Sequence, residues 1–309
     1  MYISFLYVFN NMKKKYLIVV GGSGFVGSNL IRFFLDNTNY TIVSYDNYST
    51  GTKKNHIKNK RVKYIKGHTK NIFKGLNKYK KNTKSLFHFG EFSRIHQSFS
   101  NLDTCIESNS TGTYEVFKYC LENKIKLIYS ATSATLGNNG NDKNLSPYAF
   151  TKAKNLEILD NLKKWFNFKF EIVYFYNVYG PNQISRGEMA TVIGIFEESY
   201  KNNKPLPIVK PGTQSRRFTH IDDTILVCYR AWLANKQRHY SISNKISYSI
   251  KEIAKFFNSK VRFLPRRKGE RYNSEIVEMN LSNKVYKKFG KIKITDYINN
   301  FIKVNSFKK

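Results

Sequence analysis

The sequence predicts an α/β protein in which a doubly wound parallel sheet is followed by a smaller C-terminal lobe. Short β-rich runs alternate with helical patterns from residue 16 to residue 175, as is typical of βαβ units. A glycine-rich turn joins the first predicted strand to the first predicted helix. Beyond Pro181 the alternation becomes irregular, and no long linker or internal repeat separates the two parts. We therefore expect two lobes of one compact unit.

Hydrophobic periodicity places each element of this fold. Six strands are predicted at residues 16–20, 40–45, 61–66, 85–89, 126–129 and 170–175. Helices are predicted at residues 29–35, 114–121, 147–165, 190–200 and 222–234. The third of these helices is opened by Ser146 and Pro147, a pair suited to a helix start.

Domain boundaries follow from the same pattern. Residues 12–180 are predicted to form a dinucleotide-binding domain and residues 181–309 a substrate lobe, with residues 215–243 returning partly to the first domain. Residues 1–11 are apolar and precede three lysines, the reverse of the order in a secretory signal. We expect them to be an N-terminal extension, with Met12 as a plausible start.

Composition limits the possible classes of protein. The 309 residues are 41% hydrophobic, which excludes a disordered chain. Lys and Arg number 53 against 21 Asp and Glu, so the net charge is +32 and a polyanion such as nucleic acid is a possible partner. The lysines are scattered and form no basic arm, so we interpret most of this charge as compositional and do not expect nucleic-acid binding.

Cysteine and histidine spacing predicts neither a metal site nor disulfides. The three cysteines are Cys105, Cys120 and Cys228, and their spacing is wide and irregular. The six histidines show no ligand spacing with acids or cysteines. No uncharged apolar run reaches the roughly 18 to 20 residues of a membrane-spanning helix. A reducing, cytoplasmic location is expected.

The glycine-rich turn indicates a dinucleotide site. Residues 21–27 read GGSGFVG directly after the first predicted strand. Glycines there allow a tight turn and a close approach to a pyrophosphate, and the helix that follows offers its N–H groups. Asp46 comes about 20 residues later, at the end of the second strand, where a carboxylate accepts from both ribose hydroxyls and favours NAD over NADP. The alternative is an ordinary flexible turn.

A tyrosine and a lysine form the candidate acid–base pair. Tyr148 and Lys152 are four residues apart, on one face of a predicted helix. An ammonium near a phenol favours the phenolate, which can then exchange a proton with a substrate hydroxyl. This spacing also arises by chance in a chain with 22 tyrosines. Here it follows the fifth strand and a hydroxyl-rich run, residues 130–137 (SATSATLG), which makes it more specific.

With these motifs the chain resembles an extended short-chain dehydrogenase/reductase of the NAD-dependent sugar-nucleotide epimerase/dehydratase family, and within it the UDP-glucose 4-epimerases. The similarity extends from Lys13 to about Lys303 and includes family motifs at residues 19–30, 46–51, 109–113 and 175–181. It implies a Rossmann-type fold that binds NAD. The implied cofactor-binding residues are Gly21, Gly24, Phe25, Val26, Gly27, Asp46, Asn47, His68, Thr69, Phe89, Gly90, Asn109, Tyr148, Lys152 and Phe175.

The second lobe adds substrate residues to this resemblance. Residues 216–223 (RRFTHIDD) and 267–270 (RKGE) are similar to family motifs that bind a nucleotide diphosphate. The resemblance implies that Arg216 and Arg267 contact the diphosphate, since each guanidinium binds oxygens bidentately. It also implies that Glu270 contacts the nucleotide ribose and that Asn177 contacts the substrate.

Several positions depart from the family pattern. His68 stands where the family has an Asp on the adenine amine, Arg217 replaces an Asp, and Tyr174 stands where an Arg is common. Counting back from Gly137 makes Thr132 the catalytic hydroxyl, whereas matching the run Ser-Ala-Thr makes it Ser133. Both assignments stay open.

The resemblance implies a nucleotide-sugar epimerase that works by transient hydride transfer through a keto sugar, on a substrate such as UDP-glucose or UDP-N-acetylglucosamine. The family's 4,6-dehydratases carry Asp-Glu after the catalytic Thr, where this chain has Ser133 and Ala134, so epimerisation is favoured. The alternatives are a 4,6-dehydratase or reductase of the same family, and a non-catalytic RNA-binding member. A homodimer through the helices of Asn109 and Tyr148 is implied by the family alone.

Overall fold

The structure is a computed structural model, and it describes residues 15–136, 138–269 and 285–306. Four sequence predictions lie outside the described residues: the extension at 1–11, the start at Met12, the use of Gly137 as a reference point, and the role of Glu270. Within the described ranges, no helix is both long enough and apolar enough to cross a membrane.

Eight of the described strands form the central sheet, and all of them are parallel. The strands are β1 (Tyr16–Val20), β2 (Thr41–Asp46), β3 (Val62–Lys66), β4 (Thr83–His88), β5 (Lys126–Thr132), β6 (Phe170–Phe175), β7 (Val178–Tyr179), β8 (Leu206–Val209), β9 (Ser215–Arg216), β10 (Thr219–His220), β11 (His239–Ser243), β12 (Tyr248–Ser249), β13 (Val261–Leu264) and β14 (Val285–Phe289). The sheet order is β14-β11-β6-β5-β4-β1-β2-β3. The chain therefore winds outward in both directions from β1, and the predicted α/β fold class is confirmed.

Helices cover both faces of this sheet and build the second lobe. They are α1 (Phe25–Asn37), α2 (Ile72–Leu76), α3 (Gln97–Ser100), α4 (Leu102–Ile106), α5 (Thr113–Glu122), α6 (Pro147–Phe166), α7 (Val192–Lys201), α8 (Ile221–Ala234), α9 (Ile250–Phe256) and α10 (Ile294–Ser306). A π-helical turn, Glu107–Gly112, joins α4 to α5. Such turns are frequent at functional sites.

All six strands predicted from the sequence are present in the sheet, with ends shifted by no more than three residues. The structure adds β11 and β14 at one edge, where β11 pairs with both β6 and β14. These two strands read HYSIS and VYKKF, so they lack the continuous apolar run that marks a buried parallel strand.

Among the described residues, three large apolar clusters hold the molecule together, and a fourth, small one surrounds Tyr148. Alternate residues of β1 point to opposite faces of the sheet, so Leu17 packs in one cluster with α1 and α8, and Ile18 in another with α2, α5 and α6. The third cluster lies in the second lobe, where Phe196 of α7 and Phe257 beyond α9 pack against Ile298 of α10. The helices of each lobe are therefore held against the rest of the fold by buried apolar contacts.

In the part of the chain that the structure describes, three two-stranded sheets shape the second lobe. β8 pairs with β13 in parallel, β9 pairs with β12 in antiparallel fashion, and the short parallel pair β7·β10 links the lobe to the end of β6. Through β9, Arg216 is held in register opposite Tyr248. These pairings place the second lobe at the carboxyl edge of the central sheet.

Candidate active site

A cavity of about 450 Å³ lies between the two lobes, at the carboxyl edge of the central sheet. Its walls come from the turn after β1, the segment after β4, the end of β5, the start of α6 and several parts of the second lobe. The winding of the sheet reverses between β1 and β4, and ligands of open α/β sheets bind at such a reversal.

The glycine turn forms the floor of this cavity. Gly21 has a φ of +78° and its N–H donates to the carbonyl oxygen of Tyr45 at 2.9 Å. A Cβ on Gly27 would lie 2.2 Å from the carbonyl oxygen of Gly21, and a Cβ on Gly21 would lie 2.8 Å from that of Phe89. Only glycine fits these positions, and the turn leaves the first N–H groups of α1 directed at the cavity. The cradle fits a dinucleotide pyrophosphate.

Asp46 lies beside this turn at the end of β2. Its Oδ2 accepts from the N–H of Ser23 at 2.8 Å, and its Oδ1 accepts from the N–H of Tyr48 at 2.7 Å. Burial raises the pKa of this carboxyl, while the two backbone hydrogen bonds and the nearby His56 lower it. Each oxygen keeps a lone pair for a further donor, so the carboxylate can still receive ribose hydroxyls.

The structure brings most of the predicted site residues into the cavity wall, from both lobes. Those in the wall are Gly21, Gly24, Phe25, Val26, Gly27, Phe89, Thr132, Ser133, Tyr148, Lys152, Phe175, Asn177, Arg216 and Arg267. The rings of Phe89 and Phe175 lie 5.5 Å apart between centroids and form one apolar side.

The predicted residues that do not line the cavity are Asp46, Asn47, His68, Thr69, Gly90 and Asn109. Asn47 is exposed and accepts from the N–H of Ser49 at 3.0 Å. His68 caps the short turn Thr69–Asn71 with its Nδ1.

Asn109 supports the site through the backbone. Its Oδ1 accepts from the N–H of Phe92 at 2.7 Å, and its Nδ2 donates to the carbonyl oxygen of the same residue at 3.0 Å. Asn109 is fully buried in the π-helical turn. It therefore fixes the course of the segment after β4, which forms part of the cavity wall.

Helix α6 places Tyr148 and Lys152. Ser146 caps the helix, since its hydroxyl accepts from the N–H of Ala149 at 3.1 Å, and Pro147 occupies the first turn. Tyr148 is 8% exposed and Lys152 4%, and both line the cavity. The phenol and the ammonium thus reach the cavity from successive turns of one helix.

The two candidate hydroxyls lie where β5 ends. Thr132 is the last residue of β5, and its hydroxyl oxygen accepts from the N–H of Ala134 at 3.1 Å. Ser133 begins the short turn that follows, and both residues line the cavity. Each can present an O–H to a substrate oxygen.

Sequence reasoning missed Glu91. Its side chain is 2% exposed, lines the cavity and forms an ion pair with the ammonium of Lys152. The other oxygen, Oε1, accepts from the hydroxyls of Tyr129 and Thr113, both at 3.0 Å, and from the amide of Asn155 at 3.1 Å. The only signal in the sequence was an acid two residues after the predicted end of the fourth strand, residues 85–89.

His88 lies under this cluster, fully buried at the end of β4. Its Nε2 and the hydroxyl of Thr113 lie 3.0 Å apart. Burial lowers the pKa of His88 to about 4, an effect that Glu91 opposes and Lys152 reinforces. Burial also raises the pKa of Tyr129 well above its usual value. Both groups are therefore neutral at pH 7.

The charged side chains of the cavity wall are mostly basic. Within the described ranges its charged side chains are five basic groups and one acid, the paired Glu91. The basic groups are Arg94, Lys152, Arg216, Arg267 and Lys268. Burial lowers the pKa of Arg94, an effect that Tyr148 opposes. A wall of this charge favours an anionic ligand such as a diphosphate.

Arg217, one of the departures from the family pattern, points away from the cavity. Its guanidinium donates to the carbonyl oxygens of Asn244 and Lys245, and it does not line the cavity. It ties β9 to the loop after β11.

Known proteins resemble this chain in sequence and in fold. The family model "NAD dependent epimerase/dehydratase family" matches residues 17–243. The chain is 29% identical to the ADP-L-glycero-D-manno-heptose-6-epimerase of Brachyspira hyodysenteriae over 68% of this chain and 70% of that protein.

Two solved structures show the same fold. One is a UDP-N-acetylglucosamine 4-epimerase from Methanobrevibacter ruminantium M1 in complex with UDP-N-acetylmuramic acid, with a TM-score of 0.82, 23% identity and coverage of 96% of this chain and 100% of that one. The other is the UDP-glucose 4-epimerase of Thermus thermophilus in complex with NAD, with a TM-score of 0.79, 19% identity and coverage of 94% and 99%. The family match spans well over half of the sequence, and it confirms both the resemblance and NAD as the cofactor. The chain belongs to the NAD-dependent epimerase/dehydratase family.

Proposed function

We propose that this protein is a nucleotide-sugar epimerase that oxidises a sugar hydroxyl and reduces it again on the opposite face. The observation that carries this proposal is the shared cavity. One cavity is lined both by the acid–base groups and by the two arginines proposed to bind a diphosphate. The acid–base groups are Tyr148, Lys152 and the hydroxyls at the end of β5, and the arginines are Arg216 and Arg267. A single ligand in this cavity can therefore contact both sets of groups.

The glycine cradle supports a place for the cofactor at the turn after β1. The turn at residues 21–27 would hold the pyrophosphate, Asp46 the adenosine ribose, and Lys152 the nicotinamide ribose. When bound, NAD supplies an acceptor and then a donor for hydride. The apolar pair Phe89 and Phe175 lines this side of the cavity and keeps water away from it.

The chain's own chemistry is proton transfer. Tyr148 accepts the proton of the sugar hydroxyl as that carbon is oxidised and returns it when the carbon is reduced. The hydroxyl of Thr132 or Ser133 donates a hydrogen bond to the same sugar oxygen and holds it in line. Inversion of the product requires the keto sugar to present its other face between the two steps, while the arginines keep hold of the diphosphate.

An elimination of water, as in a 4,6-dehydratase, needs a further acid and base. Ser133 and Ala134 line the cavity at the positions where the family's dehydratases carry acids. Glu91 is the acid in the described part of the cavity wall. Its carboxylate forms an ion pair with Lys152 and accepts hydrogen bonds from three neutral donors. This arrangement supports epimerisation over dehydration.

The test starts from purified protein. After denaturation the supernatant is assayed for released NAD. Native protein without added cofactor is then incubated with UDP-glucose, UDP-N-acetylglucosamine, dTDP-glucose or ADP-heptose and followed by NMR. We expect one of these sugars to be converted to an epimer of unchanged mass, because the hydride returns to the sugar.

Two variants make the test specific. Tyr148→Phe should abolish turnover, whereas Tyr114→Phe, an exposed tyrosine on α5, should leave it unchanged. Loss of water from the substrate, or full activity of Tyr148→Phe, would overturn the proposal.

A further inference from the structure

We propose that Glu91 is a positioning residue of this site: it holds the ammonium of Lys152 in place and sets the electrostatic potential at the Tyr148 phenol. The proposal rests on the proposed function, since it assigns a role within the same proton transfer. It concerns the segment that follows β4, where Glu91 comes directly after Phe89 and Gly90.

The first support is the geometry around Lys152. Its ammonium donates to Oε2 of Glu91 and to the carbonyl oxygen of Ser130. The side chains of the ion pair are 5% and 2% exposed, so water does not compete for these bonds. An ammonium has three N–H donors, and two of them are fixed within the protein. The ammonium also lies 4.7 Å from the centroid of the Tyr129 ring, so a third protein group limits its position.

The second support is that Glu91 is itself immobilised. Its Oε1 accepts from Tyr129 on β5, Thr113 on α5 and Asn155 on α6. Three separate elements thus fix one carboxylate oxygen. The backbone next to it is fixed by the two hydrogen bonds between Asn109 and Phe92. A carboxylate held in this way fixes whatever binds its other oxygen.

The third support is the balance of charge. The guanidinium of Arg94 also interacts with Tyr148, and an unpaired ammonium at Lys152 would add to its positive charge and favour the phenolate. The ion pair of Lys152 with Glu91 favours the phenolate less, because its two charges oppose each other. Removal of the negative charge of Glu91 therefore strengthens the positive potential at Tyr148. The enzyme should then reach its active protonation state at a lower pH.

A purely structural ion pair would behave differently. Loss of one partner of a buried pair destabilises a protein wherever the pair lies. The chain offers a matched control in Glu171, which is fully buried and pairs with Lys126 at 3.3 Å, at the opposite end of the sheet strands from the cavity. Glu171→Gln should lower stability without moving the pH profile of the reaction.

The experiment compares the wild type, Glu91→Gln, Glu91→Asp and Glu171→Gln. The first measurement is the pH profile of kcat/KM on the substrate found as described above. For Glu91→Gln we expect the acidic limb to move down by about one pH unit and the maximal kcat to fall about tenfold or more. Glu91→Asp keeps the charge but is shorter, so kcat should fall while the limb stays in place. An acidic limb at the same pH in the wild type and in Glu91→Gln would overturn the proposal.

The second measurement needs no substrate. The near-ultraviolet absorbance of phenolate is titrated for the wild type and for Glu91→Gln, each against the same protein carrying Tyr148→Phe, so that the difference reports Tyr148. A lower midpoint in Glu91→Gln supports the proposal, and an unchanged midpoint contradicts it. If no sugar is epimerised, the proposed function fails, and this titration still decides the role of Glu91. If Glu91→Gln does not fold, Glu91→Asp decides, because unchanged kcat in that variant would contradict the positioning role.

Discussion

The backbone N–H of Ser23, in the glycine turn, donates a 2.8 Å hydrogen bond to Oδ2 of Asp46 at the end of β2. The N–H of Tyr48 orients the other oxygen. The protein therefore orients the carboxylate in advance, and the turn proposed to bind pyrophosphate is tied to the residue proposed to bind ribose.

Substitution of Asp46 by Asn should weaken NAD binding. The variant loses charge-assisted hydrogen bonds to the ribose, each worth about 1.5 to 3 kcal/mol, so we expect at least a tenfold higher Kd. Calorimetric titration of cofactor-free protein measures this change. Asp36→Asn, an exposed acid in α1, is the matched control and should bind as the wild type does. Equal affinities of Asp46→Asn and the wild type would refute this role.

Loss of Lys152 should cost both activity and stability. Lys152→Met removes the cation beside Tyr148 and should lower kcat by about 10²- to 10⁴-fold. It also leaves Glu91 buried without its partner, which should cost about 3 to 5 kcal/mol of unfolding free energy.

The double variant Lys152→Met/Glu91→Gln separates these two effects. It has no unpaired buried charge, so part of the stability lost in Lys152→Met should return in urea denaturation, while kcat should stay low. A double variant no more stable than Lys152→Met would show that the pair is not coupled.

The two candidate hydroxyls can be distinguished by single substitutions. Thr132→Val and Ser133→Ala each remove one hydroxyl, and the variant that lacks the catalytic one should lose about 10²-fold or more in kcat. Thr132→Val also removes a cap on the turn after β5, worth about 1 kcal/mol of stability. Thermal melting therefore accompanies the kinetics. Near-normal kcat in both variants would remove the hydroxyl from the proposed reaction.

Substitution of either cavity arginine should weaken substrate binding. Arg216→Met and Arg267→Met each remove charge-assisted hydrogen bonds to a diphosphate, and KM should rise about tenfold or more with a smaller change in kcat. Steady-state kinetics at constant ionic strength measures this split. Arg230→Met, an exposed arginine of α8, should keep the KM of the wild type. An unchanged KM in both cavity variants would place the diphosphate elsewhere.

His88 should make stability depend on pH. Its pKa falls from 6.5 to about 4 on folding, so between these values the unfolded chain binds a proton that the folded chain does not. This stabilisation is complete above pH 6.5 and is lost as the pH falls towards 4, by up to about 3 kcal/mol. In His88→Asn this part of the acid dependence should disappear in urea denaturation. Above about pH 7 the difference between the variant and the wild type should be constant.

The parts of the fold that could be predicted are those that local sequence determines. Apolar runs predicted the first six strands, and the motif at residues 21–27 predicted a tight glycine turn after β1, because the geometry of each is decided by neighbouring residues. β11 and β14 lie at the sheet edge with mixed polar sequences, so pairing with β6 and with each other decides their state.

The candidate site divides in the same way. Tyr148 and Lys152 share a helix, so their spacing alone placed them together. Glu91 and Lys152 are 61 positions apart and meet only because β4 and β5 are neighbours in the sheet and α6 lies against β5. A carboxylate in such a pair leaves no local pattern, which is why sequence reasoning overlooked it.

The strand order at the β11 edge of the sheet limits which sequence segments could be exchanged by recombination between this protein and its relatives. β11 and β14 follow Arg216 in the chain, yet they complete the same sheet as the cofactor turn. A chimaera of two family members with a single junction near residue 180 would take two strands of its central sheet from the parent that supplies the second lobe. We therefore expect point substitutions in the cavity wall to disturb the central sheet less than exchange of the whole segment after residue 180.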